Sequence, residues 1–194
     1  MKTIFIALIM SILMQTEKPV FPELEAYCQS LEAEFDQIPA GRKADLEKLA
    51  AFISSKKEAG KPAKIVVICT HNSRRSHFGQ VWLQTAAAWY GRPALETFSG
   101  GTEATALNSR AAAALSRAGF RIEKTTEKIG AENPVYALQL GAEEPVIRLF
   151  SKRYSDPTNP AEGFIALPVC SDADRACPIV LGAEERLALP YIDP

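Results

Sequence analysis

The sequence has little of several residue types that mark whole classes of protein. Its 194 residues include four cysteines and two histidines, and the formal net charge is −1. Four cysteines in a chain of this length do not make a disulfide scaffold, and a nearly balanced charge gives no sign of a nucleic-acid partner. No cysteines stand two to four residues apart, so the usual zinc-ligand pattern is missing. We therefore expect no nucleic acid, no metal and no cofactor.

Long apolar runs are also scarce, apart from one near the start. A lysine follows the first methionine, and Thr3–Met14 contains two hydroxyl residues and no other polar ones. This run is too short for a stable membrane span, which needs about 20 residues. A charged start and an apolar core resemble a signal peptide, but no Ala-x-Ala cleavage pattern follows. Translation from Met10 or Met14 is the alternative, so we interpret residues 1–19 as a signal-like or mis-assigned segment.

Two helical patterns precede the rest of the chain. Residues 22–38 and 42–59 each carry apolar side chains at helical spacing, and Gly60 ends the second pattern. Cys28 lies on the apolar face of the first helix and is interpreted as a packing residue. The two patterns predict a helical hairpin over residues 20–61.

Strand and helix patterns then alternate, which is typical of a parallel sheet with helices on both faces. The predicted strands are Lys64–Ile68, Leu95–Phe98 and Phe164–Val169, with one helix from about 76 to 90 and another after the N-cap Asn108. We therefore expect an α/β three-layer sandwich in a catalytic domain over residues 62–194.

One stretch of that domain has a different pattern. The apolar runs Val135–Leu140 and Val146–Phe150 flank Gly-Ala-Glu-Glu and predict a β-hairpin. Residues 152–160 read as loop. The region is a candidate for a rim of the active site or a partner surface.

A nucleophile motif lies between the first predicted strand and its helix, where residues 69–76 read Cys-Thr-His-Asn-Ser-Arg-Arg-Ser. A short loop leading into a helix turns backbone N–H groups inward, and the helix dipole adds positive potential. Arg75 can bind two oxygens of an anion in a fork. The same potential favours a thiolate, so Cys69 is the predicted nucleophile. The predicted oxyanion-binding residues are Thr70, His71, Asn72, Ser73, Arg74, Arg75 and Ser76.

The alternative for this motif is a buried cysteine at a strand end, followed by two arginines at the surface. Its position after a β-branched strand and before an amphipathic helix favours the functional interpretation. Within the loop, Asn72 is either a hydrogen-bonding brace or a turn residue.

The segment IVVICTHNSRRSHFGQ resembles the phosphate loop of low-molecular-weight protein tyrosine phosphatases and of the thioredoxin-coupled arsenate reductases that share their fold. The block FSGGTEATALNSRAAAALSRAGF and the terminal Asp193-Pro194 are similar to the same proteins. The resemblance covers about residues 63 to 194. It implies that fold, with Cys69 as nucleophile and Asp193 as general acid. It also makes His71 unusual, because the family often has glycine there, which suggests backbone strain or a substrate-facing imidazole.

A pair of cysteines near the end of the chain distinguishes the two branches of this resemblance, the phosphatases and the arsenate reductases. Cys170 and Cys177 flank six residues after the apolar run Phe164–Val169 and resemble the resolving pair of the arsenate reductases. The resemblance implies that Cys170 attacks an adduct on Cys69 and that Cys177 then carries the disulfide outward to thioredoxin. The intervening residues are expected to form a mobile, solvated loop. A zinc site, a structural disulfide or inert cysteines are the alternatives.

Three functions follow from these residues. The first is arsenate reduction through a thiol relay, with arsenate as substrate and thioredoxin as partner. The second is hydrolysis of phosphomonoesters by Cys69, Arg75 and Asp193, with Trp82, Tyr136 or Tyr154 as an aromatic wall. The third is a non-catalytic oxyanion-binding module.

The location and the end of the chain carry two further expectations. Thiol chemistry needs a reductant, which favours the cytoplasm, whereas residues 1–14 leave export or membrane association as the alternative. The family normally continues past Asp-Pro with a helix, so we expect the C-terminus to be truncated.

Overall fold

The computed structural model describes residues 18–92, 94–130, 132–176 and 179–194. The signal-like stretch 1–17 lies outside these ranges. The helices are α1 (Pro22–Glu32), α2 (Ala40–Glu58), α3 (Arg75–Trp89), α4 (Ser109–Arg117) and α5 (Ser171–Ala176), with a 3₁₀ turn at Phe35–Gln37. The strands are β1 (Ala63–Cys69), β2 (Leu95–Gly101), β3 (Arg121–Lys128), β4 (Pro134–Gln139), β5 (Ile147–Leu149), β6 (Phe164–Pro168) and β7 (Ala183–Arg186).

The core of the molecule is a four-stranded parallel sheet with strand order β2-β1-β6-β7, flanked by helices. The central strand β1 buries every residue except Lys64, as expected for a β-branched strand covered on both faces. Helix α3 approaches β1 closely, because a Cβ on Gly79 would come within 2.7 Å of the Val67 side chain. The predicted α/β class is therefore confirmed, and the arrangement is compatible with three layers.

The register of the sheet brings three strand ends to one edge. Cys69 at the end of β1 pairs with Gly101 at the end of β2, and Ile68 pairs with Pro168 at the end of β6. The segment after β7 continues along β6, where the Tyr191 N–H donates to the Val169 carbonyl over 3.0 Å. The carboxyl edge of a parallel sheet is where ligands bind in such folds.

A second sheet is antiparallel, with order β3-β4-β5. It contains the predicted hairpin, in which Tyr136 pairs with Leu149. The sequence did not predict β3. Most of its residues are exposed and only Ile122 and Thr125 are half-buried, so it lacks the apolar alternation that marks a strand.

The two N-terminal helices are present, but each packs on a different part of the core. Helix α1 places Leu24 and Cys28 in the cluster beside the antiparallel sheet, together with Leu115 and Leu138. Helix α2 places its buried residues against β1. The two helices of the predicted hairpin over residues 20–61 therefore place their buried residues in separate clusters. Among the described residues, no helix has the length and apolar character to cross a bilayer.

The docking of α1 requires a residue without a side chain at position 119, where Gly119 has φ 102°. A Cβ there would come within 2.6 Å of the Glu23 carbonyl carbon and closer still to the Leu24 amide. Gly130 is a matched control, since it has φ 79° but nothing within 4 Å of its Cβ position. Gly119→Ala and Gly130→Ala should each lower the free energy of unfolding by about 1 kcal/mol, because alanine disfavours a positive φ. Gly119→Ala should lower it by about 1–3 kcal/mol more, because the new Cβ collides with α1. Equal losses of unfolding free energy in urea would contradict this packing.

Candidate functional site

The carbonyl groups of the loop between β1 and α3 accept hydrogen bonds from residues outside the loop. The donors are the Thr102 N–H to Cys69 O (3.1 Å), the Glu103 N–H to Thr70 O (2.8 Å), the Ser151 hydroxyl to His71 O (2.9 Å) and the Asn108 N–H to Ser73 O (3.0 Å). In the described part of the chain, the N–H groups of residues 71–75 donate no hydrogen bond. Backbone donors left together in this way form a nest for an anion.

Asn72 braces the loop from inside. It is fully buried and has φ 44°, a left-handed conformation that asparagine tolerates better than most residues. Its Nδ2 donates to Ser76 Oγ over 2.8 Å, and its Oδ1 accepts from the Lys152 N–H over 2.8 Å. The left-handed residue is thus Asn72 and not His71, where the sequence suggested strain.

The nucleophile candidate is adjacent to this brace. Cys69 is buried, and its Sγ lies 3.0 Å from Ser76 Oγ. Because Ser76 Oγ already accepts from Asn72, its own hydrogen is free to point at the sulfur. This arrangement suits a thiolate at Cys69.

Both loop arginines contact the segment after β7. Arg74 forms an ion pair of 2.6 Å with Asp193, and Arg75 Nε lies 3.6 Å from the same carboxylate. Arg75 Nη1 also donates to the Tyr191 carbonyl over 3.0 Å. Arg75 was predicted as an anion clamp, and Arg74 as a second positive charge or a surface residue. In this structure both guanidiniums are engaged by residues 191–193, which places Asp193 at the loop.

The two histidines differ in their surroundings. His71 is exposed, and its Nε2 lies 3.7 Å from Glu103 Oε2. His77, in the first turn of α3, is fully buried with Nδ1 3.3 Å from Ser99 Oγ. Burial lowers the pKa of His77 to about 3, an effect that the Asn72 backbone opposes and Lys152 reinforces. His77 is therefore neutral, and it lies buried in the first turn of the helix that follows the loop.

Cys170 follows β6 and lies beside the loop. It is fully buried, with its Sγ 3.5 Å from Thr70 Oγ1. The Ala173 N–H donates to the same sulfur over 3.4 Å. The residues after Cys170 form helix α5 where the sequence predicted a loop, because Asp and Ala suit a helix with acidic residues in its first turn. Cys177 lies outside the described residues.

An apolar cavity of about 360 Å³ opens beside Arg75. Its wall includes Phe78, Trp82, Tyr191 and Ile192. Trp82 also stacks on Tyr27, with ring centroids 5.6 Å apart. The other two aromatic candidates from the sequence, Tyr136 and Tyr154, pack against the two hydrophobic clusters and do not line this cavity.

The sequence did not predict three residues that support the loop from other parts of the chain, Thr105, Ser151 and Lys152. Ser151 and Lys152 donate to His71 O and Asn72 Oδ1, and Thr105 Oγ1 also donates to His71 O over 3.2 Å. No motif in the sequence marks them, since their roles depend on a contact across about 80 residues of chain. Among the described residues, no cluster of three or more His, Cys, Asp or Glu could hold a metal ion.

Comparison with known proteins gives no further assignment: no protein-family model matches the chain, and no curated protein is significantly similar to it.

The burial of His77 predicts a specific loss of stability in acid. Its pKa falls from 6.5 to about 3 on folding, so between these values the unfolded chain binds the extra proton and acid favours unfolding. From pH 7 to pH 5 the wild-type protein should lose about 2 kcal/mol through this residue. His77→Gln should lack this part of the pH dependence in urea unfolding, whereas His71→Gln, at an exposed histidine, should keep it. Parallel wild-type and His77→Gln profiles would show that the pKa of His77 does not change on folding.

Proposed function

We propose that this protein is a cysteine-dependent oxyanion enzyme, an arsenate reductase with a thiol relay, of the low-molecular-weight phosphatase-like fold. The loop at residues 69–76 supports anion chemistry, since the N–H groups of residues 71–75 have no acceptor among the described residues and the buried Cys69 stands at the start of the loop. Asn72 and Ser76 hold this geometry before any substrate arrives, as preorganised electrostatic catalysis requires.

The observation that carries the reductase over other anion chemistry is the second buried thiol. Cys170 Sγ contacts the hydroxyl of Thr70, the residue after the nucleophile. A phosphatase does not need a thiol here. A reductase does, because the sulfur that receives the arsenic must be attacked by another sulfur from close by.

The proposed reaction begins when the Cys69 thiolate attacks arsenate. An S–As bond forms, an As–O bond breaks, and the departing hydroxyl leaves as water after taking a proton from Asp193, the proposed general acid. The Cys170 thiolate then attacks Cys69 Sγ, so that an S–S bond forms, the S–As bond breaks and its electron pair stays on arsenic. Arsenite departs, with arsenic reduced by two electrons and the two sulfurs oxidised by two.

The remaining steps restore the enzyme. Cys177 attacks Cys170, which releases Cys69 as a thiolate and leaves a 170–177 disulfide. A dithiol such as thioredoxin reduces that disulfide. This dependence on a reductant favours a reducing compartment, the cytoplasm, over an oxidising one.

The relay is tested with single serine variants in a thioredoxin-coupled arsenate assay. Cys69→Ser, Cys170→Ser and Cys177→Ser should each abolish turnover, because each removes one sulfur of the sequence. Cys28→Ser is the control, since Cys28 is buried on α1 outside the site and should leave turnover unchanged. After one turnover, Cys177→Ser should accumulate a Cys69–Cys170 disulfide, seen by mass spectrometry of tryptic peptides, and Cys170→Ser should not.

Survival of arsenate turnover in both Cys170→Ser and Cys177→Ser would overturn the relay. Loss of arsenate turnover alone, with hydrolysis of an aryl phosphate retained, is the result that the relay predicts. A protein that binds phosphate at the loop but turns over neither substrate would be an oxyanion-binding module.

Hydrolysis of phosphomonoesters is the second candidate, and the apolar cavity beside Arg75 favours it. The cavity is wide enough for an aromatic ring next to an anion held by the loop. Asp193 is at the same place through its pairs with Arg74 and Arg75. It would protonate the leaving oxygen while Cys69 takes the phosphoryl group.

The acid role of Asp193 is tested by the dependence on the leaving group. Asp193→Asn should slow hydrolysis of phenyl phosphate by about 100-fold or more, because phenolate is a poor leaving group without a proton. The loss with p-nitrophenyl phosphate should be much smaller, since nitrophenolate leaves readily as an anion. Asp172→Asn, at an exposed carboxylate of α5, is the control. Equal losses with both substrates would assign Asp193 to holding the arginines instead.

A further inference from the structure

A cavity of about 500 Å³ lies beside the loop, between residues 104–105, 129, 132–133 and 151–156, and most of its lining residues are polar or charged. Its wall includes Thr105, Asn133, Ser151, Lys152, Arg153 and Asp156. None of these residues belongs to the proposed reaction.

Lys152 is the unusual member of this wall. Only 8% of its surface is exposed. Within the residues that the structure describes, its ammonium makes no hydrogen bond and no ion pair. Its Nζ lies over the Phe150 ring, 4.7 Å from the ring centroid. The ammonium itself reaches solvent, since the fully buried polar atoms without a partner in the described residues are His77 Nε2 and Asn159 Oδ1. Lys152 lines the cavity, so a partly desolvated ammonium without an ion pair stands at the cavity wall, where an anion could pair with it.

Asp156 is an anionic neighbour of Lys152, because each charge shifts the pKa of the other, but the two form no ion pair among the described residues. Asp156 accepts from the Thr158 N–H and hydroxyl over 2.9 and 2.6 Å, which commits one of its oxygens. Neither Asp156 nor Glu132, the carboxylates of the wall, forms an ion pair with Lys152 among the described residues. Burial lowers the pKa of Lys152, and the positive charge of Arg148 lowers it further. The negative charge of Asp156 has the opposite effect and raises this pKa.

The neutral side chains of the wall are already satisfied by one another. Asn133 Nδ2 donates to the Ser151 carbonyl over 2.6 Å, and the Ser151 N–H donates back to Asn133 Oδ1 over 3.1 Å. Ser151 Oγ donates to His71 O. These groups shape the cavity, and its unsatisfied charge is the ammonium of Lys152, with the exposed Arg153 at the rim.

We propose that this cavity is a second anion-binding site, which takes a carboxylate or phosphate group of a small molecule on the Lys152 ammonium. The proposal does not depend on arsenate reduction or phosphate hydrolysis, because none of its residues takes part in either.

The site also shares a wall with the loop. The backbone N–H of Lys152 donates to Asn72 Oδ1, while its side chain lines the cavity. Any test must therefore separate an anion on Lys152 from an anion in the loop.

The experiment follows the lysine side chains by NMR in protein labelled with ¹³Cε-lysine. Inorganic phosphate and acetate are the probes, and both are titrated into a Cys69→Ser/Arg75→Ala protein in which the loop is disabled. Lys152→Met identifies the Lys152 signal, and Lys152→Arg does so if the methionine variant fails to fold. Lys124 and Lys128, exposed on β3, are the internal controls.

A saturable shift of the Lys152 signal, with a rise in its pKa and no shift at Lys124 and Lys128, is the expected result. A response to phosphate alone or to acetate alone would support the site and identify the group that it takes. The proposal is overturned if neither probe moves the signal, even at concentrations far above those that occupy the loop of the unaltered protein. It is equally overturned if the signal moves only when the loop is intact.

Discussion

The site depends on one buried side chain, the amide of Asn72. Its left-handed backbone sets the path of the loop, and its two ends bond to Ser76 and to the Lys152 N–H. Ser76 in turn contacts Cys69. A buried amide that loses either partner leaves an unsatisfied group that costs about 1–3 kcal/mol, so the loop, Cys69 and the backbone at Lys152 are stabilised together.

This bracing explains how a short loop can keep its N–H groups unpaired. Buried backbone donors normally find acceptors, and a flexible loop would turn to satisfy them. Here the loop carbonyls are bound by residues 102–108 and 151, which removes the freedom to turn. The N–H groups stay directed at one place, and an anion bound there meets donors that need no reorganisation.

The sequence predicted the parts of the structure that rest on local signals. The buried strand β1, helix α3, the Asn108 cap and the β4–β5 hairpin each have a pattern within a few residues, and all are present. The local patterns did not show which distant residues the elements contact. The sequence named no packing partners for helix α1, and those partners lie about 90 residues away or more, on α4 and β4.

The same limit applies to the site. Nothing in the sequence links residues 151 and 152 to the loop, because they contribute a hydroxyl and a backbone N–H and stand about 80 residues from their partners. A role for Asp193 at the loop was expected, because the family resemblance implied that it is the general acid. Tyr191, which binds Arg75 through its carbonyl, had no signal of its own.

The neighbours of the loop determine which chemistry it can support. Arg74 and Arg75 share one carboxylate, Asp193, so two positive charges meet one negative charge at the mouth of the loop. This leaves an excess positive charge for a dianion, but Arg75 must exchange its bond to Tyr191 before its fork can bind two oxygens. Cys170 lies against Thr70, the residue after Cys69, and also accepts from the Ala173 N–H. Under the proposed function, anion binding by the Arg75 fork requires residues 191–193 to rearrange, whereas the second thiol already contacts the loop.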